Sequence, residues 1–372
     1  MKKAFRIIAL ILLVLMCFTA CDTSDIPADT EPDEENTVST SEGDVTDKQT
    51  EETNPADEPG KTTVVGSSAD KKGWLYRQDN GVLVREVDID SGKGGEAVEI
   101  IQITDTHISY MNDNDKKDPV LLDTYNTREW LRNAGGWRNA KRCLDSAVDA
   151  DRVILTGDII DYMSEGALEF VKNNIFDKYS NVNTVVGNHE VVKAMGEDIA
   201  DADLPARMEY IGGYFTENVY YHSEVLGDKV MIIQLDNGSD SRFWESQIEP
   251  LREDLAIARK SGLVVLLFYH IPIATGNIKY AATKPIYDNG GGVRNFAAGI
   301  GVTNADSATA EVYNIITNNG DIIKGAFCGH VHNHYYTEIT AKTASGEPTV
   351  IPQYMVASSA YDYGHMLKIT VK

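Results

Sequence analysis

The segment "IIKGAFCGHVHNH" (residues 322–334) joins a largely apolar run to three of the chain's eight histidines. The run at 322–328 is short, apolar and followed by polar residues, which predicts a buried β-strand. Side chains that directly follow such a strand lie at the edge of a sheet, where ligands bind in α/β proteins. The segment therefore predicts a buried sheet with histidines at one edge, where the ends of other strands are expected to contribute further polar residues.

Strand-like and helix-like patterns alternate along most of the chain. Further strands are predicted at 98–104, 152–156, 183–186, 230–235 and 263–269, and helices at 137–150, 164–179, 244–260 and 308–318. This alternation favours an α/β architecture with helices over the sheet faces. After residue 330, "HYYTEIT", "TVIPQYMVASSAY" and "HMLKITVK" predict antiparallel strands, hence a mixed sheet or two stacked sheets. The long stretches 108–136 and 271–306 show no clear period.

The first 65 residues differ in character from the rest. Lys2, Lys3 and Arg6 precede an apolar run at 7–16, and small residues stand just before Cys21. This pattern predicts a signal peptide at 1–20 of the lipoprotein type, with Cys21 lipidated and simple secretion as the alternative. The apolar run is shorter than the roughly 20 residues of a membrane-spanning helix. Residues 21–65 predict a disordered acidic tether, and 66–372 the folded domain.

The charge of the chain argues against nucleic acid as a partner. Residues 21–60 contain fourteen Asp and Glu against one Lys, and the whole chain has a formal net charge of -23. The folded part stays acidic when the tether and the basic signal are set aside, whereas nucleic-acid binding relies on clustered Lys and Arg. Cys17 leaves with the signal, so Cys143 and Cys328 form the only available disulfide pair; two separate buried thiols are favoured over a bridge.

Five strand ends carry residues that bind metals. They read "DTH" (105–107), "GDIID" (157–161), "GNHE" (187–190), "YHIP" (269–272) and "GHVH" (329–332). Their nitrogen and oxygen donors suit manganese, iron or zinc, and together they supply Asp105, His107, Asp158, Asn188, His270, His330 and His332. Seven ligands are too many for one ion and suit two ions that share Asp158 and a bridging water. Such a pair is used to attack phosphorus with hydroxide.

The series DxH, GDxxD, GNH[DE], a later His and GHxH resembles the calcineurin-like metallophosphoesterase family over about residues 98–337. The resemblance implies a four-layer αββα sandwich of two mixed sheets flanked by helices, with the dimetal site at the carboxyl ends of strands. It also implies specific roles. The first metal would be held by Asp105, His107, Asp158 and His332, and the second by Asp158, Asn188, His270 and His330. His189 would be the general acid and Asp161 the carboxylate that orients it.

The sequence also departs from parts of the family. Tyr162 and Met163 follow Asp161, where serine/threonine protein phosphatases have an arginine, so protein phosphatase activity is not expected. Residues 108–150 look like an insertion able to cover the site. Its candidate substrate contacts are Arg128, Arg132, Trp137 and Arg138, with solvated charge or packing as the alternative for each. Arg294, in a glycine-rich loop, is a candidate anion contact. His334 is expected to orient a ligand or pack nearby, His222 and His365 are assigned to structure, and the tryptophans are assigned to packing.

Three functions remain in view at this stage. The leading one is hydrolysis of a small phosphate ester by a metal-bridging hydroxide with His189 as the acid, in an exported protein held to the membrane by lipid. The second is a cyclic-nucleotide phosphodiesterase or nuclease with the same metals. The third is a non-catalytic surface-binding module that keeps the scaffold. The residues leave the substrate, the preference for monoester or diester, the oligomeric state and the choice among manganese, iron and zinc open.

Overall fold

A computed structural model describes residues 63–68, 74–79, 81–273, 278–281, 306–361 and 363–372 of the 372-residue chain. The predicted signal peptide, Cys21 and the tether as far as residue 62 lie outside the described residues, as does Arg294. The strand Thr63–Ser68 begins within the last three residues assigned to the tether. Within the described part of the chain, no helix has the length and apolarity needed to cross a membrane.

Within the described residues, fourteen strands, numbered in chain order, build two sheets. They are β1 Thr63–Ser68, β2 Trp74–Asp79, β3 Val82–Ile89, β4 Val98–Ile103, β5 Arg152–Thr156, β6 Val182–Val185, β7 Tyr221–Leu226, β8 Val230–Leu235, β9 Val264–Phe268, β10 Ile278–Ala281, β11 Ile323–Cys328, β12 Tyr335–Lys342, β13 Pro348–Met355 and β14 Gly364–Val371. The first sheet has the order β1-β2-β3-β14-β4-β5-β6 and the second β10-β12-β13-β11-β9-β8-β7.

Both sheets are mixed, and their parallel strands share one direction at the centre. In the first sheet β4, β5 and β6 run parallel, while β14 pairs antiparallel with β4 and parallel with β3. In the second sheet β8, β9 and β11 run parallel, and β12 pairs antiparallel with β13. The carboxyl ends of the parallel strands lie along one edge. The five polar segments predicted to bind metal directly follow these strand ends.

In the part of the chain that the structure describes, seven α-helices cover the sheets. They are α1 Pro119–Thr127, α2 Glu129–Ala134, α3 Gly136–Ser146, α4 Glu165–Val171, α5 Leu204–Gly212, α6 Ile248–Ser261 and α7 Ser307–Thr317. A π-helical turn, Lys172–Phe176, continues α4, and single 3-10 turns occupy Asp115–Lys117 and Glu245–Gln247.

The side chains of successive strand residues alternate between two apolar layers. Ile100 of β4 packs between the sheets with Leu266 of β9, whereas the adjacent Ile101 faces Leu144 of α3. In the second sheet, Ile233 of β8 lies in the outer cluster with residues of α6 and α7. This period of two buries both faces of each sheet. Helices, sheet, sheet and helices therefore form four layers, and the predicted fold class is confirmed.

The sequence located most central elements but missed several others. The six central strands agree with the predictions to within one residue at either end. Residues 108–136, which showed no period, contain α1 and α2. Helix α5 and strands β1, β2, β3 and β7 were not predicted. Cys143 and Cys328 are separate buried thiols in different apolar layers, as expected.

Candidate active site

The backbone turns sharply where the central strands end. Seven non-glycine residues among those described have a positive φ, and five of these are predicted metal ligands with φ between 44° and 65°: Asp105, His107, Asp158, His330 and His332. A left-handed conformation at a non-glycine residue costs about 1–3 kcal/mol and persists where its surroundings enforce it. Such conformations concentrated at one sheet edge mark a site that the fold holds under strain.

One group of ligand atoms comes from Asp105, His107, Asp158 and His332, all within 4.8 Å of one another. Nε2 of His332 lies 3.1 Å from Oδ1 of Asp105 and 3.0 Å from Nε2 of His107. Nε2 of His107 lies 3.9 Å from Oδ2 of Asp158. The structure thus brings together the four residues predicted for the first metal.

A second group lies on the other side of Asp158. Asp158, His270 and His330 have ligand atoms within 4.8 Å of one another. Nε2 of His270 is 3.2 Å from Oδ2 of Asp158 and 3.1 Å from Oδ1 of Asn188. Asp158 therefore belongs to both groups, and the structure places the seven predicted ligands at one edge.

The spacing and chemistry of these donors fit metal ions. Ligands bonded to one ion at about 2.0–2.2 Å stand about 3–3.5 Å apart, close to the separations within each group. Within the described residues, Nδ1 of His330 is buried without a hydrogen-bond partner. Carboxylate, amide and imidazole donors together suit a first-row divalent metal. The residues therefore fit one ion in each group.

Hydrogen bonds from outside the groups orient the ligands. Nδ1 of His270 lies 2.7 Å from the carbonyl oxygen of Thr156, which can only accept, so Nδ1 carries a proton and Nε2 is the ring nitrogen directed at Asp158. The Tyr361 hydroxyl lies 2.9 Å from Nδ1 of His332. Burial opposes ionisation of Asp158, but the charges on His270 and His189 outweigh it and hold the pKa of Asp158 well below its usual value. The shared ligand is therefore a carboxylate.

His189 stands beside the two groups with one ring nitrogen fixed. Its Nδ1 donates to the carbonyl oxygen of Asp161 at 2.7 Å, while the Asp161 carboxylate is 3.5 Å away. The backbone of Asp161 thus makes the hydrogen bond that was predicted for its side chain. Nε2 of His189 is 3.8 Å from Oδ2 of Asp158. Burial lowers the pKa of His189, but the negative charges of Asp158 and Asp161 raise it to about 9.

The carboxylate of Asp161 has other partners. Nε and Nη2 of Arg128 donate to its two oxygens at 2.9 and 2.5 Å, and Nδ1 of His107 lies 3.3 Å from Oδ1. Burial opposes the ionisation of Asp161, but its contacts with His107, His189 and Arg128 hold its pKa well below the usual value. Asp161 therefore connects the predicted ligand His107, the predicted acid His189 and Arg128.

No role was predicted for Glu190, which lies among the backbone N–H groups of the loops that carry the ligands. Its buried carboxylate accepts hydrogen bonds from the backbone N–H groups of Asp158, Ile159, Ile160 and Gly187. The close packing also explains Gly187, because a Cβ there would lie 2.3 Å from the Asp158 nitrogen. Glu190 ties the loop that carries Asp158 to the loop that carries Asn188. Its position inside "GNHE" was the available signal.

A second supporting contact comes from the loop after β8. The side-chain amide of Asn237 donates to the carbonyl oxygen of Ile271 at 2.7 Å and accepts from the Ile271 N–H at 2.9 Å. Ile271 directly follows His270. The segment "LDNGSD" (235–240), which contains Asn237, therefore fixes the backbone next to a ligand.

The segment predicted as an insertion, 108–150, packs against Tyr162 and places the guanidinium of Arg128 at the site. Tyr162 is buried in a small apolar cluster with Met111 and Leu121. Arg128 lies between α1 and α2 and reaches Asp161 from there. Of the four candidate substrate contacts in this segment, only Arg128 is joined to the site by the observed contacts.

The other candidate residues have contacts elsewhere. Arg132 packs over the ring of Tyr125, Trp137 packs edge-on against Phe170, and Arg138 bonds to the carbonyl oxygen of Ala134. His334 and His365 face each other with ring nitrogens 3.1 Å apart, and His222 pairs with Glu217. Trp130 is 55 % exposed, which departs from the assignment of the tryptophans to packing.

Comparison with known proteins agrees with this geometry. The family model described as calcineurin-like phosphoesterase matches residues 98–334, more than half of the chain. The chain therefore belongs to the calcineurin-like phosphoesterase family. Comparison with curated protein sequences gave no match.

Two solved structures are similar to the chain at low identity. A dimetal phosphatase from Danio rerio is 14 % identical, with 71 % of this chain and 88 % of that chain covered and a TM-score of 0.39. Purple acid phosphatase PPD1 from yellow lupin (Lupinus luteus) seeds is 15 % identical, with 71 % of this chain and 44 % of that chain covered and a TM-score of 0.41. These values are too low to indicate a shared substrate or mechanism.

Proposed function

We propose that the protein is a dimetal phosphoesterase that hydrolyses a small phosphate ester. The observation that carries this proposal is the position of Asp158, whose carboxylate belongs to both groups of ligand atoms. A shared carboxylate is the usual bridge between two ions that act together on one phosphoryl group. Manganese, iron and zinc all suit the mixed nitrogen and oxygen donors.

The bound ions would supply a water of lowered pKa as nucleophile and positive charge for the phosphoryl oxygens. The chain's own residues supply the proton for the leaving group. Nδ1 of His189 is occupied by the Asp161 carbonyl oxygen, so Nε2 is the atom that donates to the departing ester oxygen. Burial lowers the pKa of His189, but the negative charges of Asp158 and Asp161 raise it in the chain without metal, and the Asp161 carbonyl oxygen holds the proton on Nδ1.

Asp161 and Glu190 hold this arrangement from behind. Asp161 is fixed by two hydrogen bonds from Arg128, and its backbone oxygen sets the ring of His189. The backbone N–H of His189 donates to Oδ1 of Asp158 at 2.9 Å, which ties the acid to the shared ligand. A displacement of either loop would therefore alter the ligands and the acid together.

The location proposed for this activity is outside the cytoplasm. The basic, apolar and small-residue pattern before Cys21 supports export with lipid attachment, and the acidic segment that follows supports a solvated tether. Radiolabelled palmitate incorporation by wild type, compared with Cys21→Ala, tests the anchor. Equal labelling of both would rule it out.

The activity is tested with two chromogenic esters. Protein reconstituted separately with manganese, iron and zinc is assayed on p-nitrophenyl phosphate and on bis(p-nitrophenyl) phosphate. Hydrolysis of either ester that requires the metal supports the proposal, and the ratio of the two rates decides between monoester and diester preference. Stoichiometric metal without turnover of either ester would instead support the non-catalytic binding module.

A further inference from the structure

Three residues form a rim beside the first ligand group: Arg128, Trp130 and Tyr361. The Tyr361 hydroxyl lies 2.9 Å from Nδ1 of His332, and the ring centroids of these two residues are 5.7 Å apart. The Trp130 ring is nearly parallel to that of Tyr361, at 12° and 6.4 Å between centroids. Cζ of Arg128 lies 5.5 Å from the centroid of Trp130. The rim is thus continuous with the site.

We propose that this rim binds a planar aromatic ring in the leaving group of the substrate. The inference rests on the proposed function and narrows its substrate class to phosphate esters whose alcohol part carries such a ring. Aryl esters and nucleotides share this chemistry. The two ligand groups would hold the phosphoryl group, and the rim is not needed for that role.

The rim is connected to His189, the residue proposed to protonate the leaving group. His189 donates its proton to the departing oxygen, so the alcohol part of the ester leaves the site on the side of His189. Arg128 is joined to His189 through Asp161, whose carboxylate binds Arg128 and whose carbonyl oxygen holds the ring of His189. Trp130 lies against Arg128 in turn. A leaving group that extends past His189 therefore meets these two side chains.

The exposure of Trp130 shows that the rim has surface to offer. Trp130 is 55 % exposed, the largest value among the exposed large hydrophobic residues described. Its neighbours Tyr361 and Arg128 hold the ring without burying it, so more than half of the surface of the residue remains open to solvent. Aromatic pairs gain about 0.5–1.5 kcal/mol beyond the area they bury, which corresponds to about 2- to 12-fold in affinity.

The charge of the rim favours a neutral ring over a second anionic group. The guanidinium of Arg128 is paired through two hydrogen bonds with Asp161, and this pair carries no net charge. The folded part of the chain is acidic as well. The groups of the rim that can contact a ligand are therefore mainly the aromatic rings of Trp130 and Tyr361, which favour stacking.

The test compares two esters in wild type and three variants of the full chain. The ratio of kcat/KM for phenyl phosphate to that for methyl phosphate is measured in wild type and in Trp130→Ala, so the different leaving-group reactivities cancel. We expect Trp130→Ala to lower this ratio about 2- to 12-fold. Trp130→Phe should restore most of it. Tyr210→Ala removes a 43 % exposed aromatic ring elsewhere and should leave the ratio unchanged. An unchanged ratio in Trp130→Ala overturns the proposal.

A binding measurement separates failure of the rim from failure of the proposed function. Calorimetry compares phenylphosphonate with methylphosphonate on metal-loaded wild type and Trp130→Ala, and needs no turnover. If wild type binds phenylphosphonate more tightly than methylphosphonate and Trp130→Ala does not, the rim is supported even if neither ester is hydrolysed. Equal binding of the two phosphonates by wild type refutes the rim even if both esters are hydrolysed.

Discussion

Replacing Glu190 by glutamine should separate the two loops that carry the shared ligand and Asn188. The two oxygens of Glu190 accept four backbone N–H groups, from Asp158 and Gly187 on Oε2 and from Ile159 and Ile160 on Oε1. Glutamine has one oxygen, so two of these donors would face an NH2 group. A buried donor that loses its acceptor costs about 1–3 kcal/mol, which gives about 2–6 kcal/mol for two.

A second effect reduces this figure. Burial and the negative charge of Asp158 raise the pKa of Glu190 to about 7, so the ionised carboxylate is itself costly to keep. A neutral amide escapes that cost. We therefore expect a net loss of about 2–4 kcal/mol in the free energy of unfolding.

Denaturant unfolding of the metal-free protein measures this loss, and plasma mass spectrometry measures how much metal the folded variant retains. Glu190→Gln should bind less metal, because Asp158 and Asn188 move apart. The control is Glu169→Gln on α4, an exposed site where the change should stay within about 0.5 kcal/mol. The reasoning fails if Glu190→Gln unfolds like the control and retains the metal content of wild type.

Further substitutions test the other parts of the site. Asp158→Asn should abolish hydrolysis and remove much of the bound metal, and full metal content in this variant would contradict the shared ligand. His189→Ala should lower kcat about 10²- to 10⁴-fold with the metal content unchanged, and metal loss would make His189 a ligand. Arg128→Leu should cost about 1–3 kcal/mol in denaturant unfolding, because Asp161 is buried while Arg128 keeps some access to water. Burial raises the pKa of Cys143 to about 12 and that of Cys328 well above its usual value, so a thiol reagent at pH 8 should label neither until the chain unfolds; labelling of the native chain would show the core to be open.

The sequence was sufficient for the central strands and the ligands because both are encoded locally. Each strand is a short apolar run, and each ligand lies directly after a strand, as His330 does after β11. Helix α1 was missed although Asp118 caps it and Pro119 begins it, because the apolar side of the helix is short. The placement of β14 between β3 and β4 depends on pairing between distant segments.

The contacts that support the site could not be predicted from the sequence, because they also join segments that are far apart in the chain. Arg128 and Asp161 are 33 residues apart, and their pairing requires the insertion to fold back over Tyr162. Asn237 and Ile271 are 34 residues apart and belong to loops after different strands. No local pattern specifies such pairs, since they depend on how separate loops pack at one sheet edge.

The proposed function requires two ions, with Asp158 as a ligand to both. Anomalous diffraction from crystals grown with manganese would show the ions directly. We predict two peaks about 3.5–4 Å apart, both within bonding distance of the Asp158 carboxylate. A single peak, or two peaks of which only one contacts Asp158, would contradict it.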